Sequence, residues 1–265
     1  MGWFNFSWSI GSIISPVVAG WLEDMGSSFA LRGSSILYLA AAFLVCAGML
    51  TMPSLKDSAD IQPLERNKNS RQERGTFLRY PAWLTVFASQ FMAGTLVTVI
   101  PLAAGADIDI SKKTVGILLL VRALVMSLTL VGMGQTSWWH FRGKQMAIGA
   151  LIGVVAAIFL AYTRSLFAIV LLLAVNGILV GQCYTNSVFH GVSGVAGKSW
   201  RMAVHEMIIN AGLILGSISG GLAYGAFGIT AAYFISAVVW LIDFIVAGVL
   251  LTLMRKQEIS QGVLS

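Results

Sequence analysis

The chain has 265 residues, of which 57% are hydrophobic and 11% charged, and its mean hydropathy is +0.82. Soluble domains carry roughly a quarter charged residues, so this composition excludes an ordinary water-soluble globular protein. The net charge of +6 does not indicate a nucleic-acid partner, because the basic residues lie in short loops between long apolar segments.

The apolar segments run for about 20 residues without interruption, the length of a helix that crosses the hydrocarbon core of a bilayer. The strands of a membrane barrel would instead alternate polar and apolar residues over about 10 positions. The sequence therefore predicts an all-α integral membrane protein with about eight transmembrane helices. We number the predicted spans 1 to 8 along the chain, at residues 3–22, 31–52, 80–102, 114–136, 146–162, 166–190, 203–227 and 230–254.

Residues 53–79 form a long polar stretch between spans 2 and 3, with six basic and four acidic residues. We interpret this stretch as a solvated linker between two helix bundles. A cytoplasmic linker puts twelve basic residues on the cytoplasmic side and four on the other side. This asymmetry predicts that the N-terminus and the C-terminal tail, residues 255–265, are both cytoplasmic. We expect the membrane to be the plasma (inner) membrane.

An internal repeat relates spans 1 and 7. With an offset of 205 residues, Gly11-Ser12-Ile13 aligns with Gly216-Ser217-Ile218, Asn5 with Asn210, and Gly20 with Gly225. These spans lie six helices apart, so the repeat unit is predicted to contain six helices. Residues 1–52 are then the last two helices of one bundle and residues 80–254 a complete second bundle, and four N-terminal helices are expected to be missing.

Two sequence elements carry a family resemblance. Gly2, Gly11, Ser15-Pro16 and Ala19-Gly20 follow the spacing glycine, eight residues, glycine, three residues, Gly-Pro, two residues, Gly-Gly, with serine and alanine replacing two glycines. Residues 201–206 lead into Asn210 and a glycine-rich segment. The first element resembles the fifth-helix signature of antiporters of the major facilitator superfamily, and the second resembles the start of its eleventh helix. The resemblance implies two six-helix bundles, of which this chain supplies helices 5 to 12.

One loop departs from the family pattern. The cytoplasmic hairpins of the family carry a glycine, an Asp-Arg pair and Gly-Arg, whereas residues 134–144 lack the aspartate and are two residues longer. The better copy of this hairpin belongs to the N-terminal helices that are expected to be missing.

Arg122 is a candidate for the substrate pathway, because it lies well inside span 4, where a charge needs a cavity or a partner. Substrate or anion contact, an inter-helix salt bridge or hydrogen bond, and snorkelling to the interface all remain open.

Span 6 carries a stripe of polar side chains that likewise need a cavity or a partner. Ligand contact and inter-helix hydrogen bonding are equally open for the residues of this stripe. They are Asn176, Cys183, Ser187 and His190, with Gln182 and Asn186 beside them.

Asp243 is the acid nearest the centre of a predicted span and is the obvious carrier of a proton. The family resemblance places its helix outside the substrate cavity, so a coupling role and a structural role remain equally open. Gln90 in span 3, and His205 with Glu206 at the start of span 7, are weaker candidates.

Small residues and one proline are candidates for helix packing and gating. Glycines on one helix face let another backbone approach closely, and the same contact serves either a fixed packing or a sliding gate. The residues are Gly11, Ser15, Pro16 and Gly20 in span 1 and Gly212, Gly216, Gly220 and Gly225 in span 7.

The sequence predicts neither catalytic nor metal-binding residues and no cofactor. Cys46 and Cys183 lie in apolar segments without paired spacing. The Walker pattern Gly-x-x-x-x-Gly-Lys-Ser/Thr and the patterns His-Glu-x-x-His and Gly-x-Ser-x-Gly do not occur in the sequence. We therefore do not expect an enzyme.

The resemblance implies a secondary active transporter of a small molecule, and the antiporter-like pattern of span 1 favours efflux or proton-coupled transport. The expected partners are the lipid bilayer, the substrate, protons and the missing N-terminal half. The chain alone is expected not to transport, because half of the central cavity would have no walls. The alternative is a non-transporting membrane subunit or interaction protein that keeps the same scaffold.

Overall fold

The structure is a computed structural model that describes residues 25–51, 70–193 and 198–260, with a few residues between 11 and 22. These residues form helices and connecting turns without a strand, which confirms the all-α prediction. The helices are α1 (Ser27–Thr51), α2 (Ser70–Ala103), α3 (Lys112–Gly134), α4 (Lys144–Tyr162), α5 (Leu166–Val192) and α6 (Lys198–Ser260). All six contain an apolar window long enough to cross a membrane.

Helix α6 is interrupted at Gly228, whose φ of 80° and ψ of −177° are not helical. A positive φ of this kind favours glycine, which has no Cβ to clash with the backbone. The apolar window of α6 covers 55 residues, far more than the roughly 20 that one crossing needs. The break therefore separates two helical halves, residues 198–227 and 229–260, at the position predicted between spans 7 and 8.

The predicted number of about eight spans is not confirmed by these six helices. Helix α6 is counted once although it has two halves, and most of span 1 lies outside the described residues. The other spans correspond to helices of the structure. Helix α2 begins at Ser70, ten residues before the predicted start of span 3, so its first turns lie in the stretch predicted as linker.

Helix α1 stands apart from the helix bundle. Among the described residues it makes no packing contact with α2 to α6, and its apolar window, Leu31–Gly48, is not buried at all. Helices α2 to α6, in contrast, enclose a continuous core that includes Met92, Leu160 and Trp240. This bundle contains most of the candidate functional residues.

The closest helix contact joins α2 to the first half of α6 through glycines. A Cβ at Gly216 would overlap the backbone carbonyl of Phe91, and one at Gly212 would lie 2.8 Å from the carbonyl oxygen of Phe87. From the other side, a Cβ at Gly94 would overlap the carbonyl oxygen of Leu213. The two backbones touch because neither carries a side chain at these positions.

The second half of α6 completes this packing through Thr95. The Thr95 hydroxyl donates to the carbonyl oxygen of Gly216 at 3.1 Å and accepts from the Ser236 hydroxyl at 3.1 Å. Trp240 packs onto Gly153 of α4 and donates from Nε1 to the Met92 sulfur at 3.2 Å. Helix α2 is thereby held between both halves of α6.

A single methyl group added at Gly216 is expected to destabilise the protein strongly. Gly216→Ala should lower the free energy of unfolding by about 2 kcal/mol or more, because the backbone of α2 has to move away. Gly225→Ala on the same helix is the matched control, since its Cβ would meet no atom within 4 Å and the alanine should be neutral or slightly stabilising. Thermal unfolding in detergent, followed by tryptophan fluorescence, measures both; equal melting temperatures would contradict the packing described here.

Candidate functional site: buried polar side chains of the helix bundle

Arg122 of α3 is bonded to Asn176 of α5. The guanidinium Nε donates to the Asn176 Oδ1 at 2.7 Å, Asn176 is fully buried, and Arg122 is half-buried. A hydrogen bond from a charged donor of this length is among the stronger kinds. An inter-helix hydrogen bond, one of the roles predicted for Arg122, is thus present.

The contact of α3 with α5 at this level depends on two glycines. A Cβ at Gly177 would lie 2.5 Å from the Arg122 carbonyl oxygen, and one at Gly181 would lie 2.9 Å from that of Met126. Both pairs are four residues apart, so the two helix backbones touch on consecutive turns. This close approach brings the short Asn176 side chain within reach of Arg122.

The length of α3 indicates that the pair lies well inside the hydrocarbon core. Arg122 is ten residues from the start of α3, or about 15 Å along the helix axis, in a hydrocarbon core about 30 Å thick. At that depth the end of the guanidinium cannot face lipid at low cost, so it requires protein or water around it.

A network of amide side chains joins α4 to α5. Gln145 donates from Nε2 to the Asn186 Oδ1 at 3.0 Å and to the Trp139 carbonyl oxygen at 2.8 Å. Gln182 donates in turn to the Gln145 carbonyl oxygen at 3.3 Å, and Asn186 to that of Gln182 at 3.0 Å. Gln182 and Asn186 are therefore engaged with protein groups.

Ser187 and His205 connect the end of α5 to the start of α6. The Ser187 hydroxyl and the His205 Nδ1 are 2.7 Å apart, and both residues are fully buried. The neighbouring Glu206 is exposed. His190, also fully buried, contacts the rings of Phe141 and Phe189.

Asp243 lies in the core of the bundle with an exposure of 4%. Neither carboxyl oxygen has a hydrogen-bond partner among the residues that the structure describes. Cys183, buried on α5, is close enough to interact electrostatically with Asp243, and the hydroxyls of Thr85 and Ser89 on α2 lie beside its thiol. An acid, a thiol and two hydroxyls from three helices therefore share one buried region.

Gln90 is buried on α2, and its Cβ would lie 3.0 Å from a Cβ placed on Gly212. It thus belongs to the contact between α2 and α6. A Cβ at Gly220 would likewise meet Thr95 at 2.8 Å across this contact.

In span 1, Gly11 and Ser15 are helical and exposed, whereas Pro16 and Gly20 lie outside the described residues.

Aromatic rings hold the loop between α3 and α4, which departs from the family pattern. The His140 ring stacks on Phe189 of α5 with centroids 4.1 Å apart, and Trp139 meets both rings edge-on. Partial burial lowers the pKa of His140, which favours the neutral ring in this stack. Phe141 adopts a φ of 55°, which is rare for a bulky residue and is maintained by its contact with Phe189.

The structure brings some predicted residues together and leaves others apart. Arg122 is bonded to Asn176, and Cys183 lies near Asp243, whereas Asn176 and Cys183 are seven residues apart along α5, or about 10 Å. Gln145 and the Gly177–Gly181 pair were not singled out from the sequence. The spacing of the two glycines by four residues was a usable signal, but Gln145 stood at a predicted helix end without any pattern.

Across the described residues, no group of three or more His, Cys, Asp or Glu side chains could hold a metal ion. Cys46 is exposed and Cys183 buried, and both are free thiols.

These features define an α-helical integral membrane protein with polar side chains buried between its helices. The family model of the Major Facilitator Superfamily matches residues 1–201 of the sequence. The chain therefore belongs to the Major Facilitator Superfamily, a family of transporters. No curated protein matches the sequence.

Removing the partner of Arg122 is expected to destabilise the bundle. Asn176→Ala should lower the free energy of unfolding by about 1–3 kcal/mol, because it leaves a charged donor without its acceptor. Asn210→Ala is the matched control: Asn210 is exposed and bonds only the Glu206 carbonyl of its own helix, so the loss should stay below about 0.5 kcal/mol. Chemical or thermal unfolding in detergent compares the two variants. A similar loss of unfolding free energy in both would contradict a stabilising role of the hydrogen bond between Arg122 and Asn176.

Proposed function

We propose that the protein is a secondary active transporter of a small molecule and that its transport is coupled to protons. Membership of the Major Facilitator Superfamily supports the transporter class. In this proposal the chain crosses the membrane eight times, with both halves of α6 spanning it, and α2 to α6 correspond to one complete six-helix bundle. The protein has no enzymatic role, resides in the plasma (inner) membrane and has both termini in the cytoplasm.

The observation that carries the proposal is the incomplete bonding of buried polar groups. Nearly all buried polar groups in folded proteins are hydrogen-bonded. Here the Asp243 carboxyl group and the amide nitrogen of Asn176 are buried without a hydrogen-bond partner among the described residues. Groups left in this state at the centre of a membrane protein are suited to ligands that come and go.

Asp243 supports proton coupling in particular. An ionised carboxylate with neither a hydrogen-bond donor nor a counter-charge costs several kcal/mol in an apolar interior. A neutral acid avoids most of this cost, so the conformation described here favours Asp243 with a bound proton. A conformation that admits water beside Asp243 would release this proton, and the two states together couple proton movement to the conformational change.

The direction of transport is proposed from the sequence pattern alone. The small residues and proline of span 1 follow the antiporter spacing, which favours efflux. Gly11 and Ser15 are the signature positions that are helical in the structure, with Ala19.

Proteoliposomes containing the gene product of natural length test the proposal. Labelled tetraphenylphosphonium, benzoate and glucose serve as a cationic, an anionic and a neutral probe, and a pH gradient is imposed across the vesicle membrane. Accumulation of at least one probe in response to the gradient, above the level that protein-free vesicles reach under the same gradient, supports the proposal. Movement of none of them above the level of empty vesicles contradicts it and favours the non-transporting membrane subunit.

Asp243→Asn is expected to abolish the response to the pH gradient. Asparagine keeps the shape of the side chain but cannot bind or release a proton at the pH values of the experiment. Downhill exchange of labelled for unlabelled probe should therefore continue, while gradient-driven accumulation is lost. Asp109→Asn is the control, because Asp109 is exposed and its φ of 51° suits asparagine equally well. Gradient-driven accumulation by Asp243→Asn at the wild-type level would rule out Asp243 as the coupling group.

A further inference from the structure

Arg122 and Asn176 together present an excess of hydrogen-bond donors. The guanidinium uses only its Nε–H, toward Asn176, and among the described residues its terminal amino groups donate no hydrogen bond. The Asn176 amide nitrogen is buried and also has no partner there. Every unmet polar group at this place is therefore a donor, and one of the two side chains carries a positive charge.

The orientation of the Asn176 amide follows from chemistry. A guanidinium has no acceptor, so the amide oxygen must face Arg122 and the amide nitrogen must face away from the Nε–H. Because oxygen and nitrogen share one carbon, the free amide nitrogen stays within about 5 Å of the guanidinium Nε. The unmet donors of both residues are thus neighbours.

No acid whose side chain the structure describes completes this site. None of the described acidic side chains forms an ion pair with Arg122. Asp107, Asp109 and Glu206 are exposed. Asp243, on α6, lies near Cys183, which is farther along α5 than Asn176. An unpaired guanidinium near the middle of the bilayer carries a high cost. That cost is removed when a ligand supplies both negative charge and acceptors.

We propose that Arg122 and Asn176 bind an anionic oxygen group, a carboxylate or phosphate, of the transported molecule. This inference rests on the proposed function and names the substrate class. A carboxylate matches the planar guanidinium with two parallel hydrogen bonds, and the Asn176 amide nitrogen supplies a further donor to the same group. Arg122 is half-buried, so part of its side chain remains accessible while Asn176 holds the Nε.

Binding of benzoate, its neutral analogue benzamide, and inorganic phosphate to the detergent-purified protein of natural length tests this proposal. We expect benzoate or phosphate to bind and benzamide to bind at least about 10-fold more weakly, because hydrogen bonds to a charged group contribute more than that factor. Arg122→Gln should weaken anion binding at least about 10-fold, and Arg122→Lys should weaken it less, because lysine keeps the charge but loses the planar fork. Lys113→Gln, which removes a charge from the exposed start of the same helix, should leave binding unchanged.

Asn176→Asp separates anion binding from a purely structural role. The aspartate keeps the shape of asparagine and supplies a counter-charge to Arg122, so we expect a higher melting temperature together with the loss of anion binding. This variant remains informative if Arg122→Gln does not fold. Anion binding by Asn176→Asp or by folded Arg122→Gln at the wild-type level overturns the proposal, as does the lack of benzoate and phosphate binding by the wild type.

The outcomes distinguish this inference from the proposed function. Transport of the cationic or neutral probe without any anion binding refutes the anion site and leaves the transporter standing. Anion binding that depends on Arg122, without any flux, supports the anion site and refutes the transporter.

Discussion

The structure depends on the cost of leaving a polar group unbonded where there is no water. In the bilayer core each helix satisfies its own backbone, but polar side chains must find partners on other helices. That requirement brings helix backbones into direct contact, and glycines make the contact possible at Gly94, Gly177, Gly181 and Gly216. The inter-helix bonds of Thr95 and Arg122 are formed across these glycine contacts.

The same constraint separates the structural polar groups from the candidate functional ones. Thr95 and Asn186 have partners on neighbouring helices and contribute to the geometry of the bundle. Asp243 and the donor side of the Arg122–Asn176 pair remain incompletely bonded. The proposal assigns a proton to the first and an anion to the second, so that the two ligands of one transport cycle occupy separate places, one on α6 and one between α3 and α5.

The helices that cross the membrane were predictable to within two residues for α3, α4 and α5, because the thickness of the bilayer fixes the length of an apolar segment. The start of α2 at Ser70 was not predictable in this way, since a helix can continue into water without an apolar pattern. The residue types of the candidate site, Arg122, Asn176 and Asp243, were also found from the sequence. Their pairing was not, because it depends on how far each helix is rotated and on which partner the glycines allow to approach.

Whether Arg122 and Asn176 line a transport path is tested most directly by the accessibility, from both sides of the membrane, of a position beside Arg122. Met126, one turn from Arg122 on the same helix face and buried, is changed to cysteine in a background that carries Cys46→Ser and Cys183→Ser. We expect a membrane-impermeant thiol reagent to label this cysteine from either side of the membrane in the protein of natural length, and benzoate or phosphate to slow the labelling. Labelling from neither side, under conditions in which a cysteine that replaces the exposed Lys113 reacts, would rule out such a path.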